Sequence, residues 1–223
     1  MVSEKMGKIT TVVFDLDGTL LNSLEDLADS TNYALRQFGY PERTLEEVRR
    51  FVGNGVGKLI ERAVPDGTDN SRFEEVLGCF KRHYVGHCMV KTAPYPGIMP
   101  LLETLKRKGY KTAIVSNKLQ GGVDELYQHY FADTVQVAVG ERSGVRRKPA
   151  PDMVELALDA LGAKKEEAVY VGDSDVDVAT AAAAGLPCLS VLWGFRDRAF
   201  LEAHGATCFV ENPSDILKRL KDL

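Results

Sequence analysis

Six short β-rich runs alternate with helical stretches through most of this 223-residue chain, and that alternation narrows the possible folds more than any other feature. The runs lie at residues 10–14, 111–115, 134–139, 168–171, 187–192 and 207–210. Helical patterns occupy 99–108, 120–130, 151–161, 175–184, 196–204 and 214–221. Gly109, Gly162, Gly185 and Gly205 each follow a helical stretch, where a left-handed cap is wanted. Strands alternating with helices in this way predict βαβ units and an α/β fold with a doubly wound parallel sheet.

One interval breaks the rhythm. From Ser23 to about Cys88 no strand pattern is visible. Ser23 with Asp26 resembles a helix N-terminal cap, and Leu24, Leu27, Ala28, Thr31, Leu35 and Phe38 then recur at helical spacing until Gly39. Residues 45–51, 57–64 and 71–87 read as further helices. A helical insert of this length is too long for a connection and predicts a small all-helical domain with its own core. The chain returns through Pro94-Tyr95-Pro96-Gly97, a rigid segment suited to a hinge. The expected division is 1–22 with 94–223 as the α/β domain and 23–93 as the helical domain.

Composition is that of an ordinary globular protein, 44% hydrophobic and 27% charged. The formal net charge of −4 offers no electrostatic footprint for nucleic acid. No apolar stretch approaches the ~20 residues needed to span a bilayer. Residues 1–8 read as a short flexible lead-in without the apolar core of a signal peptide, so a cytoplasmic location with reduced thiols is expected. The four cysteines form no Cys-x-x-Cys pair, and Cys188 and Cys208 read as small buried hydrophobes. Oligomeric state is not legible at this stage.

The chemistry is concentrated at strand ends. Asp15-Leu16-Asp17-Gly18-Thr19 directly follows the apolar run Thr11-Val12-Val13-Phe14. Ligands of open α/β sheets bind at the carboxyl ends of strands. One carboxylate there can attack an electrophile while the second manages the proton. Val115-Ser116-Asn117-Lys118 ends the second run, where a hydroxyl and an amide can either donate to a phosphate or cap the following helix. Arg147-Lys148-Pro149-Ala150-Pro151 puts a lysine on a stiffened loop, able to neutralise both a phosphate and a carboxylate. Gly172-Asp173-Ser174-Asp175-Val176-Asp177 brings three acids within five residues. Either they form an acidic helix start or a hard cation sits among them, and oxygen ligands beside a phosphate favour Mg2+.

In this order the four motifs resemble those of the haloacid dehalogenase superfamily, from Val12 to the C-terminal region. The finer resemblance is to its phosphoglycolate phosphatase-like branch with a helical type 1 cap, through Val52-Gly53-Asn54-Gly55, Gly172-Asp173-Ser174, Ala183-Ala184-Gly185-Leu186-Pro187 and Trp193-Gly194-Phe195-Arg196. The resemblance implies a Rossmann-like core and a Mg2+-dependent phosphomonoester hydrolase acting on a small phosphorylated metabolite. It implies Asp15 as nucleophile, passing through an aspartyl phosphate, and Asp17 as acid and base. Mg2+ would be bound by Asp15, the Asp17 carbonyl and Asp173, with Asp177 holding a metal water or Lys148. Ser116, Asn117, Lys148 and the backbone near Leu16 and Asp17 would cradle the phosphate, and Thr19 would buttress the first loop. Gly53, Asn54 and Gly55, with Arg50 and Lys58, are the expected substrate loop of the cap, although a solvated helix face accounts for the two cations equally well.

Alternatives on the same scaffold are a phosphosugar mutase, a pyrophosphatase or a nucleotide phosphatase, and outside enzymes a regulatory binding module. His83 and His87, four apart on one helix with Cys88 adjacent, read as structural or surface groups. Trp193 and Phe195 read as packing at the domain edge.

Overall fold

The computed structural model describes residues 8–223; the expected lead-in at 1–7 lies outside the described residues. In chain order the elements are β1 (Thr11–Phe14), β2 (Leu21–Asn22), α1 (Leu24–Gln37), α2 (Leu45–Phe51), α3 (Gly55–Ala63), α4 (Phe73–Val85) and β3 (Ala93–Pro94). There follow α5 (Ile98–Arg107), β4 (Lys111–Leu119), α6 (Gln120–Leu126), β5 (Val137–Glu141), α7 (Asp152–Leu161) and β6 (Ala168–Gly172). The chain closes with α8 (Asp175–Ala184), β7 (Cys188–Val191), α9 (Arg198–Ala203), β8 (Phe209–Val210) and α10 (Pro213–Asp222). It divides into two compact units, one running to Leu20 and resuming at Pro94, the other Leu21–Ala93.

The first unit holds a six-stranded sheet in the order β5-β4-β1-β6-β7-β8, every pair parallel. Counted along the chain, its strands stand 3-2-1-4-5-6, the doubly wound order in which a crevice opens where the winding reverses. Val12, Val13, Phe14, Val169, Tyr170 and Val171 are fully buried. Strands covered on both faces read as continuous apolar runs, which is why the sequence marks them plainly. The alanines of α8 bring it close to the sheet, and Ala181 and Ala184 join Val13, Ala113 and Tyr170 in one apolar cluster.

Element boundaries moved where side chains intervene. β4 continues to Leu119 rather than stopping at 115, with a register irregularity between Val115 and Leu119. β5 starts at Val137 rather than 134, because the Thr112 amide bonds to the Gln136 side chain, 2.6 Å, in place of a strand carbonyl. The helix expected to run through residue 130 ends at Leu126 and widens into a π-turn, Tyr127–Phe131. Cys188 and Cys208 are only part-buried.

The second unit is helical apart from β2 and β3, and Leu27, Leu35, Val48, Ile60, Val76 and Phe80 form its core. A capping box at Thr44 and Glu47 opens α2. The Ser23–Asp26 cap expected for α1 is not what forms. Ser23 makes no side-chain cap bond, and the Asp26 carboxylate instead receives the Lys91 amide and the amide and hydroxyl of Thr92 at 2.8–3.0 Å. Asp26 thus ties the end of the unit to its beginning. His83 stacks on Tyr33 and His87, each pair of centroids 3.9 Å apart, and shares a hydrogen bond with Ser30.

Candidate active site

Parallel register places the acids together. Phe14 lies level with Ile114 of β4 and Val171 of β6, so Asp15 leaves β1 beside the end of β6. Its amide donates to the Val171 carbonyl, 2.9 Å. The walls here are glycine for steric reasons. A Cβ on Gly18, which also sits at φ +92°, would collide with the Asp173 carboxylate, and one on Gly172 would collide with Asp177.

Lys148 is the hub. Its Nζ lies 2.6 Å from Asp15 Oδ1, 2.8 Å from Asp177 Oδ1 and 3.1 Å from the Tyr170 hydroxyl. Burial works against the Lys148 ammonium, but the Asp15 and Asp177 carboxylates outweigh it and hold its pKa well above the usual value. Asp177 accepts from Lys148, from Tyr170, from the amides of Asp173 and Ser174 and from the Ser174 hydroxyl. It also closes a capping box with Ser174 at the start of α8, so the acidic helix start and the charge cluster are the same structure.

Asp15, Asp173 and Asp177 each offer an oxygen, and these oxygens all lie within 4.8 Å of one another. Three buried carboxylates thus surround one ammonium. Burial and the neighbouring Asp177 push Asp173 up to about 7, against the pull of the Phe195 amide. Asp15 is raised as well, by burial first and Asp177 second. Such a cluster is short of positive charge and rich in oxygen, the chemistry of a hard-cation site.

The second motif sits within the extended β4 and not at a strand-to-helix turn. Ser116 is buried and its Oγ accepts from the Lys118 amide, 3.1 Å. The Asn117 carboxamide was expected in the phosphate cradle, yet it clamps the Lys148 backbone through both ends: Nδ2 donates to the Lys148 carbonyl, 3.1 Å, and Oδ1 accepts from the Lys148 amide, 2.8 Å. Asp17 meets Lys118, whose Nζ lies 3.2 and 3.3 Å from its two oxygens. The Thr19 carbonyl accepts from the Trp193 indole, 3.0 Å, and the Phe195 amide donates to Asp173 Oδ2, 2.6 Å. Trp193 therefore ties its indole to the first site loop, while the Phe195 side chain is buried as packing and its backbone amide holds Asp173.

Sequence reading missed Lys118, Tyr170 and the Phe195 amide. Lys118 follows Ser116 and Asn117 in a polar stretch that hides it, Tyr170 in its apolar run reads like any core tyrosine, and a backbone amide leaves no signal.

The expected substrate residues lie in the helical unit. Asn54 sits left-handed at φ +63° between Gly53 at +112° and Gly55 at +83°, at the N-terminus of α3. A run of positive φ that includes a non-glycine residue is uncommon and is found at functional loops. Arg50 pairs with Glu46, 3.1 Å, and Lys58 with Glu61, 2.7 Å.

The haloacid dehalogenase-like hydrolase family profile matches residues 12–191. The chain is 35% identical to a phosphoglycolate phosphatase of Aquifex aeolicus over 93% of its own length and 94% of the relative's. It is 35% identical to that of Rhodospirillum rubrum, over 82% and 80% of the two chains. A crystal structure of a phosphoglycolate phosphatase candidate from Lactobacillus delbrueckii subsp. bulgaricus superposes with a TM-score of 0.92 at 35% identity, covering 97% of this chain and 100% of that one. With the doubly wound sheet and the acids at its strand ends, these matches make the chain a member of the haloacid dehalogenase-like hydrolases and, within them, a phosphatase.

Proposed function

We propose that this phosphatase is a Mg2+-dependent phosphomonoester hydrolase that works through an aspartyl phosphate on Asp15, with 2-phosphoglycolate as its foremost substrate. The observation that supports this most is the buried Lys148, shared between Asp15 and Asp177 at 2.6 and 2.8 Å. Asp177 has its oxygens committed to five donors, so it suits anchoring Lys148 better than ligating metal. Asp15 and Asp173, with the Asp17 carbonyl, would hold the ion. Bound Mg2+ would offset phosphoryl charge and polarise the phosphorus centre.

In this reading an Asp15 oxygen attacks phosphorus and the ester oxygen departs with a proton from Asp17. Asp17 then takes a proton from the water that cleaves the acyl phosphate. Lys148 keeps Asp15 aimed and neutralises phosphoryl oxygens in a buried site, where such contacts are strongest. The Ser116 hydroxyl and the amides of Leu16, Asp17 and Asn117 complete the cradle, while Gly18 and Thr19 shape the loop. Substrate choice is assigned to the helical unit: Asn54 offers an amide, Arg50 and Lys58 offer cations for a carboxylate, and Gly53 and Gly55 leave the loop backbone open.

The test is phosphate release from 2-phosphoglycolate, sugar phosphates, nucleotides and pyrophosphate, with Mg2+ and with chelator. The expected result is Mg2+-dependent release led by 2-phosphoglycolate, lost about 10³-fold or more in Asp15→Asn, on the scale of removing a group essential to catalysis. Full turnover by Asp15→Asn at unchanged circular dichroism would overturn the nucleophile. Turnover that depends on a hexose bisphosphate would replace the hydrolase with a mutase. Asn54→Ala is expected to shift the preference between 2-phosphoglycolate and an aryl phosphate, and equal losses on both would remove Asn54 from substrate choice.

A further inference from the structure

We propose that Lys118 is the positioning residue for Asp17, holding its carboxylate in the orientation from which it donates to the departing ester oxygen. The inference rests on the acid–base reading of Asp17 given above. Three observations carry it.

First, the ammonium spans both Asp17 oxygens at 3.2 and 3.3 Å, a loose contact that sets the plane of the carboxylate without capturing one oxygen. Second, the pair is largely dry, with the Lys118 side chain 7% and the Asp17 side chain 17% exposed. An apolar pair of that size would cost less to bury, so charge at this place serves something other than stability.

Third, the backbone of the lysine is closely packed and fixed. A Cβ on Gly122 would stand 3.4 Å from Lys118 Cδ, and one on Gly140 would stand 2.8 Å from the Lys118 carbonyl oxygen. The Lys118 amide is fixed on Ser116 Oγ, 3.1 Å. Asp17 precedes Gly18, a turn residue at φ +92°, and its backbone forms an isolated bridge just beyond the end of β1, which leaves the orientation of its side chain to Lys118. The irregular end of β4 aims Lys118 across at it.

In the step concerned, an Asp15 oxygen bonds to phosphorus and the P–O ester bond breaks. The electron pair goes to the ester oxygen, and the Asp17 proton follows it. Esters with a weakly basic leaving group need that proton little; alkyl esters need it fully. A misaimed Asp17 therefore shows as a steeper dependence on the leaving group.

The experiment measures kcat/KM for 2-phosphoglycolate, a neutral alkyl phosphate and 4-nitrophenyl phosphate in wild type, Lys118→Met, Asp17→Asn and the double variant. Asp17→Asn is expected to cost the alkyl esters ~10²–10⁴-fold and the aryl ester far less, the usual range for general acid catalysis. Lys118→Met is expected to cost both alkyl esters about 10-fold or more and the aryl ester less than about 3-fold, and the double variant to fall no further than Asp17→Asn alone, as groups acting as one unit do. Each ratio is taken on one preparation, so a partly unfolded variant leaves it unchanged; Lys118→Gln serves if Lys118→Met does not fold. Equal losses on alkyl and aryl esters would overturn the inference in favour of a packing role. A KM rise confined to 2-phosphoglycolate would overturn it in favour of direct substrate contact. If Asp17→Asn itself shows no leaving-group dependence, the acid–base reading falls and the inference with it. If Asp17→Asn shows it and Lys118→Met does not, the inference falls alone.

Discussion

In the α/β unit, Lys148 has 4% of its side chain exposed and is held by Asp15 and Asp177; in the helical unit, Arg50 has 72% exposed and pairs with Glu46 one turn away. The same kind of contact, a cation on a carboxylate, has different physics in the two places. Buried charges lose their hydration and must be matched by fixed partners, so the cluster is rigid and costly to alter. Exposed pairs are screened by water and salt and come apart readily. Groups of the first kind suit chemistry, which needs preorganised charge. Groups of the second kind contribute little to stability and can release one partner for another.

The comparison breaks most visibly at the hub. Lys148→Met removes the one ammonium among three acids and is expected to cost about 3–5 kcal/mol of stability near neutral pH, the usual range for orphaning a buried charge. Urea unfolding with and without the substitution measures it. A loss under about 1 kcal/mol, the scale of an exposed pair, would erase the distinction between the two units.

The next effect is a pH dependence. Asp173 is pushed up to about 7 in the folded protein, above its ordinary carboxylate value. Between those two pH values the folded state holds more protons than the unfolded one, so stability falls as pH rises. The slope is about 1.4 kcal/mol per pH unit at most. In protein freed of divalent ions by chelator, unfolding midpoints at pH 5 and pH 8 are expected to differ in that direction. Asp173→Asn is expected to flatten the difference, and an unchanged slope would show that another group sets it.

The smallest effect is expected on the helical side. Arg50→Ala and Lys58→Ala should each change stability by no more than about 1 kcal/mol. Thermal melts at low and high salt check this, and a larger loss at either position would make that cation structural.

How much of this was legible along the chain varies with the range of the interaction. The apolar runs of β1 and β6 are local and buried on both faces, so they announce themselves; so does the helix signal of α8, with the alanines behind its acidic start. Boundaries were less legible wherever a distant side chain took a backbone partner, as Gln136 does for Thr112 and Asp26 does for Lys91 and Thr92. Asp15, Asp17, Lys148 and Asp173 could be named because acids and a lysine at strand ends are conspicuous by type. Tyr170 was passed over because a tyrosine inside an apolar run is indistinguishable, in one sequence, from a satisfied core residue, and Lys118 because a lysine after Ser116 and Asn117 reads as part of an exposed polar turn. Asn117 was given a different task because its amide suits either a phosphate or a loop.

The sequence by itself determined the element order, the helical insert and the residue types at each strand end, because propensity, apolar period and glycine punctuation act over a few residues. Tertiary structure alone decided which charges meet. Lys148 stands 133 residues from Asp15, and Lys118 stands 101 from Asp17. Lys118 meets Asp17 because β4 and β1 are neighbours in a parallel sheet whose register is set by burial of the whole sheet, and Lys148 reaches Asp15 from the loop between β5 and α7, where Asn117 of β4 clamps its backbone.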